Sequence, residues 1–186
     1  YTGGTRVTDE SNAVFTITPP YVFTVTTTRD SGTGSLRQCI LDANSHSGAD
    51  HIEFNIPTGE GISKPGYFYW SIWPATNLPS ISAEVYLNGR TQPTGEAYNN
   101  PYGPEIEIDG SLLTSGIRNG ISIEASNCVI KGLVINNFKK YVTAVGRGVY
   151  IGSGSSNRIY GCYIGTDVTG EVSRANHQGI VIGSSS

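Results

Sequence analysis

The sequence predicts an all-β solenoid of short stacked strands, closed at its N-terminal end by a strand and helix cap. Three observations predict it. The 186 residues include 24 glycines and 11 tyrosines but only 15% charged residues, and the apolar positions are rich in β-branched side chains, a composition of strands and tight turns. Gly120-Ile-Ser-Ile123 recurs 28 residues on as Gly148-Val-Tyr-Ile151, and that recurs after a further 31 residues as Gly179-Ile-Val-Ile182. A second segment, Asn127 to Asn136, recurs loosely from Asn157 at an offset of 30. Two features on one period point to stacked repeats, in which each coil buries its inward residues against its neighbours.

The elements follow in order. Residues 1–20 read as a terminal strand and linker. Val14-Phe-Thr-Ile-Thr18 alternates as a strand does, and Pro19-Pro20 cannot donate to a ladder. Residues 21–57 read as the cap. Tyr21 to Thr28 alternates as a strand. A helix opens at Ser35, with Gln38 placed for a capping box and Leu36, Cys39, Ile40 and Ala43 at helical spacing on one face. Asn44 to Gly48 stop it, and His51 to Pro57 returns to strand alternation with Ile52, Phe54 and Ile56 together.

Residues 58–186 read as the coils. Strand-length clusters stand at Tyr69–Trp73, Val85–Leu87, Ile106–Ile108, Ile121–Ile123, Val129–Ile135, Val149–Ile151, Ile159–Ile164 and Ile180–Ile182, separated by Gly, Asn, Pro and Ser. No second helix is predicted. Asn127, Asn136, Asn137 and Asn157 suit left-handed turns and stacked amides. The cysteines, Cys39, Cys128 and Cys162, are odd in number and lack any zinc spacing, so they read as small buried apolar side chains. The chain starts at Tyr1 without methionine or signal segment, as a piece of a longer processed polypeptide would.

Two segments carry resemblances. Arg6-Val-Thr-Asp9 with Phe15-Thr-Ile17 resembles the terminal strands of immunoglobulin-like modules of bacterial surface proteins. Asp30-Ser-Gly-Thr-Gly-Ser-Leu-Arg-Gln-Cys-Ile-Leu-Asp-Ala-Asn44 with Ala49-Asp-His-Ile-Glu-Phe-Asn-Ile-Pro57 is similar to the opening of secreted bacterial β-helix repeat proteins. The likeness continues through Leu87-Asn-Gly-Arg-Thr-Gln-Pro93, Ile106-Glu-Ile-Asp-Gly110 and Tyr163-Ile-Gly-Thr-Asp-Val-Thr-Gly170, and covers roughly 21–186. It implies a right-handed parallel β-helix of the pectate-lyase-like superfamily, secreted or displayed on a bacterial cell surface. Such families share a fold and not a reaction.

Chemistry is sparsely signalled. A formal net charge of −3 without clustered Lys and Arg offers nucleic acid no footprint, and no apolar run long enough for membrane insertion exists. His46, His51 and His177 stand at no metal-ligand spacing, and no nucleotide or cofactor motif is present. Glu107 and Asp109 alternate on one strand, with Glu124, Lys131, Arg147 and Asp167 on later coils. Asp167, in Gly165-Thr-Asp-Val-Thr-Gly170, reads first as a turn aspartate.

In Tyr67-Phe-Tyr-Trp-Ser-Ile-Trp73, alternation sets Tyr67, Tyr69 and Trp73 on the face opposite Phe68, Trp70 and Ile72. Those three aromatics are candidates for stacking on sugar rings, against a blander role covering the junction of cap and coils. The function expected is a structural or adhesive extracellular module that assembles with itself, end to end or by donation of the Val14–Thr18 strand. The alternative is a carbohydrate-active enzyme, a polysaccharide lyase or hydrolase, or a glycan-binding module.

Overall fold

The structure, a computed structural model, describes residues 20–95, 99–141 and 144–183. The terminal strand expected at Val14–Thr18, with nearly all of the 1–20 linker, lies outside the described residues.

The chain enters as strand β1 (Val22–Val25) and turns into helix α1 (Leu36–Ser45). The Ser35 hydroxyl accepts from the Gln38 backbone N–H at 3.2 Å, capping the helix as its sequence predicts. The reciprocal half of the capping box is not made, because the Gln38 amide donates to Asp42 Oδ1 at 2.8 Å instead. Leu36, Cys39, Ile40 and Ala43 form the buried face. Arg37 fastens the helix to a distant loop, donating to Asp30 Oδ1 at 2.6 Å and to the Thr76 and Asn77 carbonyls at 2.8 and 2.7 Å.

Strand β2 (Asp50–Phe54) follows, then a short β3 (Ile62–Lys64), β4 (Tyr67–Ile72), β5 (Val85–Asn88) and β6 (Ile106–Asp109). The later strands are β7 (Arg118–Ile123), β8 (Val129–Lys131), β9 (Leu133–Asn136), β10 (Gly146–Ile151), β11 (Arg158–Tyr160), β12 (Tyr163–Ile164) and β13 (Gln178–Ile182). Three 3-10 turns, at 58–60, 89–91 and 110–112, interrupt the run.

These strands form three sheets, ordered β1-β2-β5-β8-β11, β3-β4-β6-β9-β12 and β7-β10-β13. Every pairing within them is parallel except that of β3 with β4. Parallel register stacks like on like. Ile72, Ile108, Ile135 and Ile164 fall in one column, and Ile52, Leu87, Ile130 and Ile159 in another. The core is continuous from α1 and β1 to Val149. Strands buried on one face in this way gain most of their stability from that apolar burial.

The all-β expectation is corrected. The molecule is α/β, with 12% helix and 38% strand in three mostly parallel sheets, and not the closed right-handed parallel β-helix solenoid that the repeat and the resemblance predict. Three features account for the difference. Helix α1 supplies four residues to the common core, where the expectation made it only an end cover. The spacing between stacked strands is uneven: Val129 and Arg158 pair 29 residues apart, but Trp70 and Ile106 pair 36 apart and Tyr86 and Val129 43 apart. The third sheet begins only at β7, and the earlier chain joins it through an isolated bridge from Ile81 to Ile123 and through the Asn77 side chain, which accepts from the Asn119 N–H at 3.1 Å. Secretion and adhesion, expectations tied to that architecture, have no support here.

The smaller expectations fare unequally. Two of the predicted clusters each divide into two strands, at Gly132 (φ 66°) and Gly161 (φ 60°), where a left-handed corner sends the chain from one sheet to the next. Asn127 and Asn137 do adopt left-handed backbone, both at φ 60°. Asn136 and Asn157 do not, and use their side chains on neighbouring groups. All three cysteines are free, two buried and Cys162 half-buried. Burial pushes the Cys39 thiol up to about 11.

Candidate functional site

Alternation along β4 divides its aromatics. Phe68, Trp70 and Ile72 point inward and are buried, while Tyr67 and Tyr69 stand half-buried on the opposite face. Trp73, one residue past the strand, keeps 38% of its surface exposed. The same alternation on β6 sends Ile106 and Ile108 into the core and leaves Glu107 and Asp109 on the other face. Because β4 and β6 pair in parallel with Ser71 opposite Glu107, the two outward rows lie side by side.

The result is a groove of about 420 Å³. It is lined by Tyr67, Tyr69 and Trp73, by Glu107 and Asp109, and by Asp167 from the loop after β12. Two exposed cations join them, Lys64 from β3 and Arg174. The Tyr67 and Tyr69 rings stack with centroids 6.1 Å apart at 29°, and Tyr102 meets Tyr67 edge-on at 6.0 Å. The three aromatics singled out by the sequence therefore share one groove with three of the acidic residues it singled out. Glu124, Lys131 and Arg147 lie elsewhere: Glu124 accepts from Ser153 Oγ, and the two cations sit over the Tyr160 and Tyr150 rings at 5.5 and 4.6 Å.

The carboxylates differ in how they are held. Asp167 is the turn aspartate its motif suggests, with Oδ1 accepting from the Thr169 N–H and hydroxyl and from the Val172 N–H. Asp109 caps the 3-10 turn after β6, with Oδ1 accepting from Ser111 N–H at 2.8 Å and Oδ2 from Asn137 Nδ2 at 3.0 Å. Glu107 is 7% exposed and accepts from Asn136 Nδ2 at 2.7 Å. Burial raises its carboxyl above the ordinary value, with the nearby Asp109 adding to the effect. Asn136, Arg174 and a nearby Ser71 hydroxyl that misses hydrogen-bond geometry pull the other way. Burial, with Glu107 next, pushes the Tyr69 hydroxyl up to about 12.

A stability prediction follows from Glu107. A carboxyl raised on folding favours the folded state fully only below its unfolded value, and that contribution is lost as pH rises through the folded value. Glu107→Gln keeps the acceptor for Asn136 and removes the buried charge. Urea unfolding should therefore find Glu107→Gln more stable than the parent at pH 7, with the gap closing as pH falls into the range where Glu107 protonates. A gap that widens on acidification would show the opposite sign of shift.

Lys64 and Arg174 carry no signal in the sequence, and Asn136, expected only at a turn or in an amide stack, instead holds Glu107. Lys64 is brought in by the antiparallel β3 and Arg174 by the loop beyond β12. A second, smaller cavity of about 240 Å³ lies at Asp50, His51, Glu84 and Tyr86. Its polar groups are engaged locally, Asp50 with His46 Nδ1 at 2.8 Å and Glu84 with Asn127 at 3.1 Å. Among the described residues no helix is long and apolar enough to cross a membrane. No protein-family model, curated protein or solved structure matches the chain.

Proposed function

We propose that the protein binds carbohydrate in the β4–β6 groove. The observation that carries this reading is the convergence of Tyr67, Tyr69 and Trp73 with Glu107 and Asp109 in one open cleft. A pyranose ring has an apolar face of C–H bonds and a rim of hydroxyls. It needs a flat apolar platform and acceptors at the edge, which aromatic rings and carboxylates supply. Lys64 and Arg174 add donors suited to ring oxygens or to the carboxylate of an acidic sugar.

Binding is favoured over hydrolysis by how the carboxylates are employed. Two aspartates spend their oxygens on backbone turns and on Asn137. Glycoside hydrolysis needs a pair of carboxyl groups facing the scissile bond, one as acid and one as base or nucleophile. Glu107, buried and with its carboxyl raised, is left without such a partner carboxyl free of turn contacts.

The two tryptophans make the test selective. Trp70 is fully buried, so a ligand in the groove should change the emission of Trp73. Titration with cello-oligosaccharides, chito-oligosaccharides and hexuronic acid oligomers is expected to give a saturable change with at least one of them. Glu107→Gln, followed through the same signal, should weaken that binding about tenfold, the loss expected for a charge-assisted hydrogen bond. An unchanged affinity in Glu107→Gln would remove the carboxylate from the recognition surface.

A further inference from the structure

Arg118, the first residue of β7, is 3% exposed, and no carboxylate pairs with it among the described residues. One of its terminal nitrogens, Nη1, donates to the Leu113 carbonyl at 3.1 Å. Nε and Nη2 are buried and find no hydrogen-bond partner among the described residues. The Tyr141 ring lies over the guanidinium, 5.7 Å from its carbon. A buried cation left this way is costly, since the desolvation of a charge is recovered only by pairing and hydrogen bonding. Such orphaned donors call for an explanation, and an ion or water at the site is one.

The surroundings specify the kind of ion. Arg118 lies in the wall of a cavity of about 240 Å³, together with Lys139, Lys140, Ser111 and Thr114. Both lysines are exposed and neither forms an ion pair among the described residues. Among the described residues no carboxylate lines the cavity. Asp109, next in sequence to Gly110 of the lining, is already held by the Ser111 N–H and by Asn137. Three cations with the hydroxyls of the lining and no counter-charge make a donor set that one carboxylate would neutralise only in part. A tetrahedral dianion satisfies it better.

We propose that this cavity binds a doubly charged oxyanion of the sulfate or phosphate class, with Arg118 as the buried anchor and Lys139 and Lys140 as the outer donors. The site is separate from the carbohydrate groove and does not rest on that reading, since the two are lined by different side chains. The anion arrives as a free ion or as an ester on a larger molecule, and the experiment separates these sources.

Thermal unfolding and titration calorimetry would be run with potassium phosphate and sodium sulfate against potassium chloride at matched ionic strength. The intact protein should bind one ion saturably and unfold at a higher temperature in its presence, by linkage. The double variant Lys139→Gln and Lys140→Gln, changed only on the surface, should weaken that binding about tenfold or more. Arg118→Met, which removes the unpaired charge, should lose the response to the anion altogether. If that variant does not fold, the lysine variant alone decides. A phosphate response no larger than that of chloride, or one kept in full by the lysine variant, would overturn the proposal. Glucose 6-phosphate and dextran sulfate then identify the source: tighter binding than the inorganic ions marks an ester ligand, and weaker binding marks the free ion.

Discussion

Trp70→Ala is expected to destabilise the protein by about 3–5 kcal/mol, the range for deleting a large aromatic from a packed core. Trp70 has no exposed surface. It sits at the centre of β4, opposite Ile106 on β6, with the Phe68 ring edge-on at 5.0 Å. Its indole Nε1 also donates to the Pro57 carbonyl at 3.0 Å, tying β4 to the segment that leaves β2. Truncation therefore opens a cavity and strips a carbonyl of its partner at once. Trp70→Phe should recover part of the loss by filling much of the volume without restoring the hydrogen bond. Chemical denaturation followed by circular dichroism measures both, and a Trp70→Ala loss under about 1 kcal/mol would contradict the burial described here.

Gly148→Ala and Gly120→Ala should each cost about 1–3 kcal/mol or more through overpacking, whereas Gly179→Ala should fall within about 0.5 kcal/mol of the parent. These are the three glycines of the repeated motif. A methyl on Gly120 would stand 2.5 Å from the Gly148 carbonyl oxygen and 2.6 Å from Ile135 Cγ2. One on Gly148 would stand 2.8 Å from the Gly179 carbonyl oxygen and 2.6 Å from Asn176 Nδ2. The Asn176 side chain cannot yield freely, because it accepts from Phe138 N–H at 3.0 Å and donates to the Ile135 carbonyl at 2.9 Å. On Gly179 the nearest atom is 3.8 Å away. Thermal denaturation of the three variants should give this order, and equal losses at all three would mean that stacking contact is not what selects glycine.

That column shows what the sequence could reveal. Residues Gly120-Ile-Ser-Ile123, Gly148-Val-Tyr-Ile151 and Gly179-Ile-Val-Ile182 pair in register as β7, β10 and β13, because a near-constant spacing places like residues over like. Helix α1 was legible for a similar reason: its cap and its buried face are local signals. The first half of the chain obeys no constant spacing. That β4 lies beside β6, 36 residues on from Trp70 to Ile106, follows from tertiary packing that periodicity does not encode. The antiparallel β3, and the packing of α1 into one core with the sheets, were hidden for the same reason. The candidate site was legible in pieces, as an aromatic strand and an acidic one. Their meeting in one groove, and the arrival of Arg174 there, needed the folded chain.

Binding of a carbohydrate on the aromatic platform of the β4–β6 groove can be read by affinity electrophoresis through gels cast with a panel of neutral and acidic polysaccharides. The parent and Trp73→Ala would run side by side, Trp73 being exposed enough for its removal to spare the core. The reading predicts that at least one polysaccharide retards the parent, and that Trp73→Ala weakens the retention about tenfold or more, as loss of an aromatic hot spot does. Free migration of the parent through every polysaccharide, or equal retardation of the two proteins, would contradict it.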